Sequence, residues 1–271
     1  AARPVIGRVA MRALLAAAVV GAGTAAAHAG AWTQAKGHGQ IIVSGTYTDS
    51  PKGFDDDGNA VDIPDYRKFE LNTLIEYGIT DAVTAILQPQ LQSVDIGQPT
   101  DASRFGLGYS ELGGRVRLWS DDVSVFSGQV VARIPGTYDD DDPASIGNTD
   151  PELDMRMLYG RSFGIGSWSS FLDVQLGYRA RFGDPPSEFK ADVTFGTRPA
   201  DDLLLLVQSF NSIGDGSEKS FFVSGSEHKL QLSGVWDVNE SWSLQLGGVA
   251  TIAGENALRE RGLVAAVWHR F

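Results

Sequence analysis

The sequence has 271 residues, a formal net charge of −12 and no cysteine. So acidic a chain is a poor partner for nucleic acid or anionic lipid, and without cysteine no disulfide can brace its fold. The mean hydropathy of −0.10 is too polar for a bundle of membrane-spanning helices, but it is compatible with a transmembrane β-barrel, in which only alternate residues of each strand face lipid.

Residues 1–29 have the composition of a secretory signal peptide. An apolar run at residues 13–20 leads to a small-x-small sequence at residues 27–29, and it is too short to span a bilayer as a helix. The segment carries no acidic residue but has three basic ones before the apolar run: Arg3, Arg8 and Arg12. We therefore predict cleavage after Ala29 and two regions, a signal peptide at 1–29 and one outer-membrane barrel domain at 30–271.

From residue 40 onward, the chain contains about twelve strand-length segments in which apolar and polar residues alternate. A period of two predicts strands whose two faces lie in different environments. The segments are residues 40–48, 68–79, 83–94, 108–119, 123–134, 152–161, 172–182, 188–198, 203–211, 228–236, 242–252 and 258–271. The segment at 203–211 begins apolar on both faces, so its register stays unassigned.

The connections between these segments alternate between short and long. Five are tight turns: residues 79–82, 120–122, 164–167, 199–202 and 238–241. The others are mostly longer and polar: residues 49–66, 95–103, 136–150, 183–187, 213–226 and 253–257. Outer-membrane barrels have short periplasmic and long extracellular connections, whereas a β-sandwich has no reason for this regularity. We predict an all-β fold, a single antiparallel transmembrane β-barrel of about twelve strands with both termini periplasmic.

The last segment resembles the final strand of bacterial outer-membrane barrels. Leu263, Val267 and Phe271 share one face, with Arg270 on the other. The resemblance implies that these three apolar residues close the barrel and form its insertion signal. The expected partners are outer-membrane lipid, lipopolysaccharide and the outer-membrane barrel assembly machinery; the oligomeric state is left open.

The polar faces of the segments are unusually rich in charge. Six arginines are predicted to point inward, with carboxylates beside them: Arg115, Arg117, Arg133, Arg156, Arg179 and Arg181, with Glu70, Glu76, Glu111 and Asp173. Guanidinium groups bind carboxylate or phosphate through two parallel hydrogen bonds, so a wall of arginines can guide anionic solutes. The same charges can instead form a salt-bridge network that fills a narrow lumen. Both interpretations stay open.

No catalytic, metal or cofactor site is predicted. The sequence lacks the G-x-S-x-G and H-E-x-x-H motifs. His228 lies close to three serines, as a Ser–His pair of an outer-membrane phospholipase would, but the surrounding motif is absent. The acidic runs at 55–57 and 139–142 are interpreted as solvated loops, because the first misplaces the glycine of a Ca²⁺ loop and lacks its closing glutamate.

Two short stretches resemble a known family. Residues 32–40 (WTQAKGHGQ) precede a strand, and residues 76–84 (EYGITDAVT) form a strand-turn-strand pattern. Both are similar to the outer-membrane channel family labelled with the MetA pathway of phenol degradation. The resemblance implies a channel or transporter-like barrel, here for small polar or anionic solutes. The alternatives are a closed barrel with a structural, adhesion or polysaccharide-export role through its acidic loops, and a lipid hydrolase.

Overall fold

The computed structural model describes residues 30–136, 144, 150–183, 186–216 and 224–271. The predicted signal peptide and the acidic run at 139–142 lie outside the described residues. In the described ranges, the chain forms no helix that is both long enough and apolar enough to cross a membrane.

The regular structure of the described residues consists of β-strands. They are β1 (Gly39–Phe54), β2 (Ala60–Thr80), β3 (Val83–Gln88), β4 (Gln90–Ile96), β5 (Ala102–Leu107), β6 (Ser110–Ser120), β7 (Ser124–Ile134), β8 (Glu152–Ile165), β9 (Trp168–Arg181), β10 (Glu188–Ala200), β11 (Leu203–Gly214), β12 (Ser226–Asp237), β13 (Trp242–Glu255), β14 (Ala257–Leu258) and β15 (Arg261–Arg270).

These strands form one closed antiparallel sheet. From β6 to β13, each strand pairs with the next, and β1 pairs with β2 on one side and with β14 and β15 on the other. Three strands of the barrel are each interrupted, so that two short strands take the place of one: β3 with β4, β5 with β6, and β14 with β15. β3 and β4 both pair with β2, β6 pairs with β3 and β5 with β4, and β14 and β15 both pair with β1. With each interrupted pair taken as one, the barrel has twelve strands. The predicted all-β, closed antiparallel barrel of about twelve strands is confirmed.

The barrel closes where the first strand meets the last. Gly39 and Phe271 exchange both backbone hydrogen bonds, at 2.9 and 3.0 Å. The N–H of Arg270 donates to the carbonyl of Ser241 in the turn before β13. Both ends of the barrel wall therefore lie at the rim that carries the short turns.

The short turns contain aspartate and glycine at positions where a tight connection needs them. In the turn between β6 and β7, the Asp121 carboxylate accepts hydrogen bonds from the N–H groups of Val123 and Ser124, at 2.9 and 2.7 Å. These backbone bonds hold the pKa of the Asp121 carboxyl below its usual range. In the turn between β8 and β9, Gly166 has a φ of 61°, which a residue with a side chain adopts only at a cost.

The outer face of the barrel is apolar, as the alternation predicted. Leu176, Leu246 and Leu263 are 59, 68 and 65% exposed. The structure also settles the register of residues 203–211: the side chains of Leu204 and Leu206 are buried inside the barrel, while the next residues along, Leu205 and Val207, are exposed outside. Large exposed aromatic residues lie near strand ends, where an interfacial girdle is expected: Tyr77, Trp119, Tyr159, Trp168, Trp236 and Trp242.

Several strands extend further than the sequence pattern predicted. The connection at 49–66 is mostly a paired hairpin, since β1 continues to Phe54 and β2 begins at Ala60. Residues 102–107 form β5, although the predicted connection covered residues 95–103 and the next predicted strand began at residue 108. The alternation of apolar and polar residues ends before the strand pairing does. Backbone hydrogen bonds continue into regions where neither face of a strand needs to be apolar.

Candidate functional site in the barrel lumen

The inward face of the barrel divides into two walls of different chemistry. The charged wall is formed by inward side chains of β6 to β10, together with Glu76 of β2. The neutral wall is formed by uncharged inward side chains of β11 to β13, β15 and β1, together with Phe171 of β9. Nearer to the ends of these strands, Lys229 pairs with Glu260 and Arg270 pairs with Asp237. A segment of the chain lies between the two walls.

In the charged wall, five of the six predicted arginines contact carboxylates. Arg115 pairs with Glu76, Arg133 with Glu111 and Glu152, Arg156 with Asp154 and Asp192, Arg179 with Asp154, Glu152 and Glu188, and Arg181 with Glu152 and Glu188. The wall is thus a ladder of alternating charges across neighbouring strands, in which most positive charge is locally compensated. Alternation placed these side chains on the inner face but gave no information about which strand each one reaches.

Arg156 illustrates how the ladder crosses strands. Its guanidinium donates to Asp154 on its own strand, at 2.6 Å, and to Asp192 two strands away, also at 2.6 Å. Asp154 also accepts from Arg179 at 2.9 Å. Asp154 and Asp192 therefore both have a cationic partner, which is the arrangement that buried charges require.

Arg115 and Glu76 form the most deeply buried pair of the wall. Arg115 Nη2 lies 2.8 Å from Glu76 Oε1, and the two side chains are 6 and 1% exposed. Glu76 Oε2 accepts from Gln34 and Gln40, at 3.0 and 2.7 Å, while Arg115 also donates to Gln129. Every charged atom of this pair is hydrogen-bonded to the barrel or to the chain inside it.

Arg117 differs from the other five arginines. Its side chain lies on the inner face beside the rim of short turns, where its N–H donates to the carbonyl of Ala82. Among the described residues, no hydrogen bond or ion pair involves its guanidinium. Arg117 therefore carries a positive charge that the lumen does not compensate by direct contact.

The neutral wall is lined by amides and aromatic rings. Gln231 donates to Gln208 at 3.1 Å, and the Trp268 indole N–H donates to Gln245 at 3.0 Å. Beside these groups, seven inward residues form an apolar cluster at the lumen surface: Ile42, Phe171, Leu204, Leu206, Val235, Ala266 and Trp268. Sequence alternation did not reveal this cluster, because it assigned apolar side chains to the outer face.

The space between the walls contains a part of the chain that the sequence analysis did not assign. We call residues 30–38 the lumen segment. Its indole, Trp32, packs edge-on against Phe171 with ring centroids 5.9 Å apart, and a Cβ at Gly160 would collide with this indole. The segment lacks a strand period, so the residue pattern alone could not place it. The available signal was Trp32, a large aromatic residue in the short stretch before the first strand.

Hydrogen bonds hold the lumen segment along its length. Near its start, the N–H of Ala31 donates to Asp173 at 2.6 Å and the carbonyl of Ala31 accepts from Ser127 at 2.5 Å. The carbonyl of Trp32 accepts from Arg115 at 2.9 Å. Near its end, the N–H of Gly37 donates to the carbonyl of Gly78, and a Cβ at Gly78 would collide with the carbonyl of Ala35. The segment is built into the barrel rather than lying loosely at its rim.

Two connected cavities remain beside the lumen segment. One of about 430 Å³ adjoins the charged wall and Gly30, and one of about 310 Å³ adjoins the neutral wall. The cavities share five lining residues: Leu74, Gln88, Thr194, Gln208 and Phe210. A small solute in this space would contact ionic groups on one side and amides and aromatic rings on the other.

The remaining predicted residues lie elsewhere in the barrel. Glu70 contacts Lys68 at 3.5 Å, and Lys68 also contacts Glu260, a buried carboxylate that the sequence analysis did not single out. His228 lies 2.8 Å from Asn211 Oδ1 rather than in a bond to a serine. Asp55 accepts hydrogen bonds from the N–H groups of Asp57 and Asn59 within its own turn.

The residues predicted to close the barrel line one outward strip of β15 and its end. Leu263, Val267 and Phe271 are all exposed on the outer face. The ring of His269 stacks between those of Trp242 and Phe271, with centroid distances of 4.3 and 5.9 Å. This aromatic row covers the join between the last strand and its neighbours.

Comparison with solved structures identifies the architecture. The chain is similar to the COG4313 outer membrane channel from Pseudomonas putida F1, with 15% identity over 91% of this chain and 100% of that one and a TM-score of 0.71. It is also similar to the NanC porin, with 7% identity over 85% of this chain and 100% of that one and a TM-score of 0.53. A third similar structure is the translocator domain of the autotransporter NalP from Neisseria meningitidis, with 12% identity over 88% of this chain and 90% of that one and a TM-score of 0.52. No protein-family model and no curated protein matches the chain. These likenesses confirm an outer-membrane type of barrel fold.

Proposed function

We propose that this protein is an outer-membrane channel that passes small polar solutes through its narrow, charged lumen. The observation that carries the proposal is the pair of connected cavities inside a closed barrel whose outer face is apolar. An apolar exterior suits a lipid environment, while an interior lined by ions and amides suits hydrated solutes. The similar folds of the outer membrane channel from Pseudomonas putida F1 and of the NanC porin support this function.

The preference for anionic solutes rests on Arg117. The other five arginines of the predicted wall lie against carboxylates, so their charges are largely compensated at short range. Arg117 is placed at the rim where solutes enter or leave, and its charge has no ionic contact among the described residues. An uncompensated cation at the mouth of a pore attracts anions and repels cations.

Replacing Arg117 is expected to shift ion selectivity toward cations. The experiment is single-channel recording of refolded residues 30–271 in a planar bilayer with a salt gradient, comparing the reversal potential of Arg117→Ala with that of the parent. Arg161→Ala is the matched control. Arg161 lies near the same rim, on β8, two strands from Arg117, but its side chain is on the outer face. Equal reversal potentials for parent and Arg117→Ala would reject the role of Arg117. A parent that is silent although folded would favour the closed-barrel alternative.

The membrane location is tested separately from conduction. Leu246 is among the most exposed apolar side chains of the outer face, and an arginine facing the hydrocarbon is expected to destabilise the barrel by about 2–4 kcal/mol at mid-membrane depth. Unfolding in urea of Leu246→Arg in lipid vesicles measures this cost. Thr46→Arg introduces the same charge on the lumen side, where Thr46 lines a cavity, and should cost much less. Equal costs would contradict a lipid-facing outer surface.

A further inference from the structure

The carboxylate of Asp173 is an exception among the buried acids of the charged wall. Asp173 is 1% exposed, and the two groups that donate hydrogen bonds to it among the described residues are neutral: the N–H of Ala31 at 2.6 Å and the amide of Gln175 at 2.8 Å. By contrast, Glu76, Glu152, Asp154 and Asp192 each contact an arginine. A buried anion without a cation in contact is costly. Among the described residues, Asp173 lacks the direct arginine contact that its neighbours have, and Arg115 acts on it only at longer range.

The Cα of Gly30 lies directly beside this carboxylate. A Cβ built on Gly30 would lie 2.7 Å from Asp173 Cγ and 3.0 Å from Oδ1, and it would collide with Oδ2. Gly30 itself is buried and lines the larger cavity. A side chain has no room at this position, and a group that occupies the Cβ position of residue 30 lies within reach of the carboxylate.

The predicted cleavage site gives Gly30 a special chemistry. Cleavage after Ala29 converts the backbone nitrogen of Gly30 into a free α-amino group, which is positively charged at neutral pH. On a tetrahedral Cα, the amino group and a Cβ occupy equivalent positions around the Cα–C bond. Once residue 29 is no longer attached, a rotation of about 120° around that bond moves the ammonium to the Cβ position, beside both oxygens of Asp173.

We propose that Asp173 is a binding site for the chain's own α-ammonium group, created when residues 1–29 are removed. The ammonium of Gly30 forms an ion pair with Asp173 and supplies the missing positive charge. It fixes the start of the lumen segment, whose end is held at Gly78. This proposal rests on the predicted cleavage and not on the proposed transport function, because it concerns how the segment is held whether or not solutes pass.

The test is the reactivity of the α-amino group of Gly30. Residues 30–271 are produced behind a removable tag that leaves Gly30 as the first residue, refolded in detergent, and acylated with a water-soluble succinimidyl ester at several pH values. Mass spectrometry of proteolytic peptides compares acylation at Gly30 with that at Lys52, an exposed lysine. We expect acylation of Gly30 to be at least about tenfold slower in the folded barrel than in urea, the equivalent of about 1.4 kcal/mol, with its half-maximal rate at a higher pH.

Variants separate ion pairing from simple burial. In Asp173→Asn, the Gly30 amine should become more reactive and its half-maximal pH should fall. Asp192→Asn is the matched control, since Asp192 is held by Arg156, and it should leave Gly30 protected. If Asp173→Asn does not fold, a chain with one extra alanine before Gly30 provides the second measurement, because its amine is displaced from the carboxylate and should react freely. A Gly30 amine that reacts equally fast, with the same pH profile, in the folded and unfolded parent would overturn the proposal.

Discussion

Deleting residues 30–34 is expected to raise the single-channel conductance several-fold. These residues include Trp32, which packs against Phe171, and Gln34, which donates to Glu76. They occupy the space between the charged and neutral walls, and a pore's conductance rises steeply with its free cross-section. The deletion leaves residues 35–38 in place, so the contacts at Gly78 and the closure at Gly39 are retained. The measurement is conductance of parent and deletion variant under the same salt conditions.

Two further variants make this experiment specific to the lumen segment. Trp32→Ala removes the bulkiest side chain but keeps the backbone bonds of Ala31 and Trp32, so we expect an intermediate conductance. A chain in which residues 30–34 are replaced by glycine and serine of equal length tests whether side-chain contacts hold the segment inside. Heat-modifiable migration on gels shows that each variant has folded. A folded deletion variant with the parent's conductance would mean that the segment does not limit the pore.

Replacing Arg115 with methionine is expected to lower the free energy of unfolding by about 3–5 kcal/mol, the usual cost of removing one partner of a buried ion pair. Glu76 is 1% exposed and would retain only the amides of Gln34 and Gln40 as partners. The carbonyl of Trp32 would lose its donor as well. Urea unfolding in lipid vesicles, followed by tryptophan fluorescence, measures the change.

The control for Arg115→Met is Arg117→Met, two residues along the same strand. Both substitutions remove a lumen-facing arginine, but Arg117 has no ionic partner among the described residues, so we expect a change within about 0.5 kcal/mol. Replacing both Arg115 and Glu76 with methionine should recover most of the lost stability, because no unpaired buried charge remains. Equal destabilisation by Arg115→Met and Arg117→Met would show that the pair with Glu76 contributes little.

The barrel could be predicted from the sequence because lipid imposes one apolar face on each strand. Met157 and Leu246, for example, are both exposed on the outer face, as the period of two requires. The pattern says nothing where this constraint is absent. The ends of β1 and β2 that meet at their hairpin pair with each other although their sequences show no clear alternation of apolar and polar residues. The apolar residues Leu204 and Leu206 face inward, where they belong to the cluster inside the barrel.

The candidate site was only partly predictable, for a different physical reason. Alternation identified Arg156 as an inward residue, but its partner Asp192 lies two strands away, and such contacts depend on side-chain length and barrel curvature. The place of Trp32 depends on the space left by Gly160 and on the ring of Phe171. These are properties of the assembled barrel that no single strand's pattern contains.

The position of the lumen segment also constrains the order in which the barrel can assemble. Ala31 bonds to Asp173, 142 residues later in the chain, and to Ser127, 96 residues later. Contacts over such long separations form late and slowly. Yet the segment directly precedes β1, whose pairing with β15 completes the ring. The lumen segment must therefore already be inside the curved sheet when the first and last strands meet, or else enter the finished ring through its open rim. The timing of seam closure decides which of these two routes the segment takes.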